Sequence, residues 1–140
     1  WNDWSEFVPI DASASDVNFS KFIRSGVYEI YLKDQLIYIG ETRCNGSVTN
    51  PRARKGMWAR RSDFRSTVKG GDNIRNPYGN GTKFLEVYGR TALNEVRHRF
   101  HCVHPYYCKQ AEQQRLQEYY DKHNTLPTLQ SEHDYKRVKK

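Results

Sequence analysis

The chain has 140 residues, 36% of them hydrophobic, 14% aromatic and 28% charged, with a formal net charge of +7. That length suits one domain, the aromatic content excludes a disordered chain, and no apolar run nears the roughly 18 residues that cross a bilayer. Three cysteines (Cys44, Cys102, Cys108) are too few for a disulfide scaffold and point to a reducing, cytoplasmic setting.

Residues 1–24 read as an N-terminal segment packed on the domain through Trp4, Phe7 and Ile10, and its acidic start lacks the apolar core of a signal peptide. From Gly26–Leu32 the β-branched and aromatic residues predict a strand, and 36–40 predicts its hairpin partner across a Lys33-Asp34-Gln35 turn. Residues 44–56 form a loop rich in Asn, Ser, Gly and Pro. The spacing of Met57, Arg61, Phe64 and Val68 predicts a helix over 57–69, stopped by Gly70-Gly71. A second glycine-rich loop covers 70–81, and 83–88 reads as a third strand. Residues 92–103 alternate like a strand through Val96, His98, Phe100 and Cys102, although 95–99 also suits a helix. A helix over 106–123 follows Pro105, with Cys108, Glu112, Leu116, Tyr119 and Tyr120 near one stripe. Residues 131–140 read as a basic tail, an arm for phosphates or a loose end. The expected fold is α+β: a small antiparallel sheet of three or more strands flanked by helices, with 25–130 as the folded domain.

Charge is unevenly spread. Residues 1–23 carry four acids against Lys21, and the stretch 43–75 carries nine Lys or Arg against Asp63 and Asp72. Such a concentration suits a phosphate-tracking surface, and Trp58, Phe64 and Tyr78 interleave it as sugar and base contacts require. Candidate DNA contacts are Arg43, Arg52, Arg54, Lys55, Arg61, Arg65 and Lys69.

The hairpin reads Gly26-Val27-Tyr28, nine residues, then Tyr38-Ile39-Gly40. Here the chain resembles the GIY-YIG nuclease family, with Val in place of the usual middle Ile of the first triplet. An Arg-bearing helix, a further strand and a helix with an inward Glu follow in matching order. The resemblance spans about residues 25–130 and implies metal-dependent hydrolysis of DNA phosphodiester bonds, in a restriction or mobile-element (homing) context. It implies that Tyr28 activates or positions water, that Tyr38 holds water or phosphate, and that an arginine grips the phosphate. Arg60 fits that arginine through Met57 three residues earlier, and Arg61 competes through helical phase. Two departures stand out: Phe64 replaces the His or Tyr many relatives carry four residues after the arginine, and Glu41 replaces a basic residue.

The family's metal ligand is one glutamate, for which Glu112 and Glu118 compete. Counting back from Pro127 favours Glu118; helical phase places Glu112 on the apolar stripe, and Glu112 is our choice. One carboxylate plus waters suits a single Mg²⁺ or Mn²⁺ ion. The family's final Asn falls at Gln130, with Asn124 as a fallback.

His98, His101, Cys102, His104 and Cys108 crowd together, but their spacing fits no common zinc finger, and strand alternation separates His101 from His98, Cys102 and His104. The expected partner is double-stranded DNA, with a homodimer on DNA as one arrangement and no membrane. A non-catalytic DNA-binding module on the same fold is the alternative function.

Overall fold

A computed structural model describes residues 4–11, 24–43, 56–70 and 79–140, without the Trp58 side chain. Among these residues the strands are β1 (Val8–Pro9), β2 (Gly26–Leu32), β3 (Gln35–Thr42) and β4 (Val96–Cys102). The helices are α1 (Met57–Gly70), α2 (Asn80–Tyr88), α3 (Cys108–His123) and α4 (Glu132–Arg137), with 3₁₀ turns at Arg90–Glu95 and Pro105–Tyr107. The strands pair antiparallel in the order β1-β4-β2-β3, which puts the first triplet on an inner strand and the second on an edge. The class is α+β, as expected.

Alternation along the strands divides the core into two layers. On one face Tyr28, Ile30 and Phe100 pack with Met57, Phe64 and Val68 of α1 and Phe84 of α2. On the other, Val27, Leu36 and Ile39 pack with Leu116 of α3, Leu126 and Val138. Glu29 shares this second face and is fully buried, held by Arg99 at 2.8 Å and Arg115 at 2.7 Å. Arg99 also stacks over Trp4, 4.7 Å from its ring centroid, and so ties the N-terminal segment to the sheet.

Three expectations need correction. Residues 83–88, read as a strand, belong to helix α2. Apolar Phe84, Leu85 and Tyr88 lie at helical spacing, whereas strand alternation would have buried every second residue; Phe84 is buried against Phe64 and Val87 is exposed. The short run could not separate the two periods. Residues 92–95 lie in a 3₁₀ turn, and the strand begins at Val96.

The basic tail is neither a loose end nor a free arm through residue 138. Ser131 and Asp134 form a capping box that starts α4, and Val138 is buried in the second core layer. Tyr135 reinforces the docking, its hydroxyl accepting from Leu126 N at 3.2 Å.

Gln130 completes the β3 edge. Its Oε1 accepts from Ile39 N at 2.6 Å, and its Nε2 donates to Ile39 O at 3.1 Å and to Asp134 at 2.8 Å. The side chain thus satisfies backbone groups that an edge strand leaves open. Gln130→Leu is expected to destabilise the fold by about 3 kcal/mol, because two buried backbone groups each lose a partner. A thermal melt checks this, with a fall of roughly 10 °C expected for a domain of this size.

Candidate active site

Tyr28 lies opposite Gly40 on β3 and Phe100 on β4, and Tyr38 lies opposite Ile30 on the same sheet face. The two tyrosine rings are 5.9 Å apart and tilted by 43°. A Cβ on Gly40 would stand 2.5 Å from Tyr28 Cζ, 2.6 Å from its hydroxyl and 2.8 Å from Tyr38 Cε2. Glycine is therefore what lets both rings lie over the edge strand. Gly26 serves the sheet instead. A Cβ there would meet the His101 carbonyl oxygen at 2.0 Å, so glycine allows β2 and β4 to close.

Both tyrosines open into a cleft of about 360 Å³. Its walls are Arg60, Asp63 and Thr67 of α1, residues 79–83 at the start of α2, and Leu129, Ser131 and Asp134. Helical phase sorts the arginines of α1. Arg60 is exposed and faces the cleft with Asp63 and Thr67, while Arg61 is buried and its guanidinium pKa is lowered by burial and by Arg65.

The other candidate DNA contacts are dispersed. Arg65 Nε and Lys69 Nζ both hold Asp11 Oδ1, at 2.9 and 3.0 Å, on the side of α1 that meets the N-terminal segment. Arg43 is exposed and pairs with Glu41 at 3.7 Å. Arg52, Arg54 and Lys55 lie outside the described residues. Lys83 escaped notice because 83–88 read as a strand; it lines the cleft, and its Nζ donates to Gln130 O at 3.0 Å.

Glu112 is buried on α3 with Cys108 and Leu116, whereas Glu118 is exposed. The stripe reading thus places Glu112 inward, although it does not line the cleft itself. Its charge reaches both tyrosines and raises their pKa values. Burial raises the pKa of Glu112, against the pull of Arg137, whose Nη2 sits 2.8 Å from Glu112 Oε1. Arg137 also holds Asp134 at 3.2 Å.

Electrostatics keep the phenols protonated. Burial is the largest influence on Tyr28, pushing it up to about 12 against the opposing Arg60 charge. Tyr38 is raised well above its usual range, chiefly by Tyr28 and then by burial. Each neutral hydroxyl offers one donor and acceptor lone pairs to what enters the cleft.

Glu112 is a hard oxygen donor of the kind a divalent ion with a retained hydration shell accepts. Beside it, Glu41 has a buried Oε2 paired with the Arg43 guanidinium at 3.7 Å. These two carboxylates are oxygen donors that suit a hydrated divalent ion, with Oε1 of Glu112 already carrying Arg137.

Neither candidate for the final asparagine lines the cleft. Gln130 is spent on Ile39, and Asn124 adopts φ 57° to cap α3, its N–H donating to Tyr120 O at 2.7 Å. The His and Cys cluster is divided by the sheet, since His98 faces Ile30 and His101 faces Val27. The Cys108 thiol lies 3.6 Å from Thr42 O, and burial pushes its pKa up to about 11. His104 Nδ1 accepts from Tyr106 N at the turn before α3.

Comparison with protein-family models, curated proteins and solved structures finds no match for this chain. Among the described residues, no helix is long and apolar enough to cross a membrane.

Proposed function

We propose that the chain is a divalent-metal-dependent endonuclease of the GIY-YIG type that hydrolyses phosphodiester bonds of double-stranded DNA, in a restriction or mobile-element setting. The observation that carries this reading is the meeting of Tyr28, Tyr38 and Arg60 in one cleft, each supplied by a different element. Arg60 contributes a guanidinium positioned for a phosphate, where fixed charge acts most strongly as negative charge develops on its oxygens. Tyr28 and Tyr38, as neutral phenols, position water and phosphate oxygen by hydrogen bonds. Glu112 would hold the divalent ion, which when bound supplies charge neutralisation and a more acidic water.

A non-catalytic DNA-binding module is the second reading, favoured by the Arg137 guanidinium on the very carboxylate that would hold the ion. Nicking of supercoiled plasmid in Mg²⁺ or Mn²⁺ against EDTA separates the two. We expect metal-dependent nicking that is lost in Tyr28→Phe, Arg60→Ala and Glu112→Ala and kept in Glu118→Ala. DNA binding unchanged by EDTA, with no nicking of any duplex, would establish the binding module instead.

A further inference from the structure

Resting on the nuclease reading, the geometry points to an autoinhibitory contact: Arg137 on α4 is an internal counter-cation that competes with a divalent ion for Glu112. The pair is nearly dry, with side chains 19% and 11% exposed and Nη2 to Oε1 at 2.8 Å. Glu112 feels repulsion from Glu41 and Asp134, and Arg137 offsets it. A divalent ion arriving at Glu112 would meet the guanidinium's positive charge at close range, so the two cations exclude one another.

The contact is built in rather than incidental, because α4 is anchored on both sides of Arg137. Asp134, one turn earlier, is fixed by the capping box and holds Arg137 Nη1. After it, Val138 is buried beside Leu116 and Leu126, and Gln117 Oε1 accepts from Lys139 N at 2.7 Å. Gln113 of α3 donates to the carbonyl of Arg137 itself. The guanidinium is thereby held over α3 at the level of Glu112. Ser131 and Asp134 of the same segment line the cleft, so a phosphate backbone entering there comes to the base of α4 and can draw the guanidinium away by a stronger, forked contact. Metal loading then follows substrate binding.

The deciding experiment is a Mn²⁺ titration of the full chain without DNA, read by the electron paramagnetic resonance of free Mn²⁺. Arg137→Gln is expected to bind Mn²⁺ at least about tenfold more tightly than wild type, the effect of removing one nearby unit charge. The gain should vanish in the Glu112→Gln/Arg137→Gln pair and be absent in Arg97→Gln, a charge-matched change elsewhere. Equal or weaker binding in Arg137→Gln overturns the proposal, as does a gain that survives Glu112→Gln. Should Arg137→Gln fail to fold, hydrogen exchange of wild type decides: saturating Mn²⁺ should speed exchange over residues 131–138, and unchanged protection overturns the proposal. Nicking by wild type without the Arg137→Gln gain sinks the latch alone. The gain without any nicking sinks the nuclease reading alone.

Discussion

On the proposed nuclease reading, Gly40→Ala is expected to yield a folded protein whose nicking rate has fallen at least about a hundredfold. The new methyl would press on Tyr28 Cζ and hydroxyl and on Tyr38 Cε2, all within 2.8 Å, so both rings must shift from their places over the edge strand. Displacing reactive groups by about an ångström is enough for a loss of that size. Crowding of buried side chains costs about 1–3 kcal/mol, which a domain of this length survives. Gly26→Ala makes the opposite case. Its methyl would meet the His101 carbonyl oxygen where β2 begins against the end of β4, and paired backbone has no rotamer to yield. Separation of β2 from β4 and loss of a cooperative melt are expected. Circular dichroism melts beside the plasmid assay read both outcomes. A Gly40→Ala protein that cuts at the wild-type rate would show that the stacked tyrosines do not serve the chemistry.

The parts of the fold visible in the sequence are those governed by local periodicity. The hairpin announced itself through β-branched and aromatic residues, Val27, Tyr28, Ile30, Ile37, Tyr38 and Ile39, on either side of a short turn, and α3 through Cys108, Glu112 and Leu116 on one stripe, which is why the inward position of Glu112 was readable. Helix α2 was not, because six residues sample too little of either period. Helix α4 was hidden by its polar composition, although Ser131 and Asp134 three residues apart are a capping signal that could have revealed it. What no local rule supplies is pairing across the chain. The hold of Arg99 and Arg115 on Glu29, of Asp11 on Arg65 and Lys69, and of Arg137 on Glu112 joins residues 25 to 86 positions apart. Of these, Arg65 and Lys69 are candidate DNA contacts and Arg137 belongs to the basic tail, and each has an internal acidic partner. Of the contacts expected on α1, Arg61 is buried and Arg65 and Lys69 are paired with Asp11.

Acidification from pH 8 to pH 5 is expected to remove about 2 kcal/mol of stability through one side chain, His98. This imidazole is 3% exposed on the layer shared with Ile30, and its pKa is lowered from 6.5 to about 3, first by burial and then by the Arg61 charge. The folded state therefore keeps His98 neutral across a range where the unfolded chain takes up a proton. Stability is full above pH 6.5, falls as pH drops below it, and goes on falling until the folded pKa near 3 is reached. Within that range the slope approaches about 1.4 kcal/mol per pH unit for one proton. Two carboxylates also titrate differently in the fold. Asp11, held low by Lys69 and Arg65, loses its contribution only below the ordinary carboxylate range. Glu112, held high by burial, works in the opposite sense, since its ionisation cost is relieved as acid protonates it. Urea unfolding at half-unit steps from pH 8 to pH 5, for wild type and His98→Gln, isolates the histidine: the variant should lose the slope below pH 6.5. An equal slope in both proteins would assign the acid sensitivity to other groups and leave His98 protonated without cost in the fold.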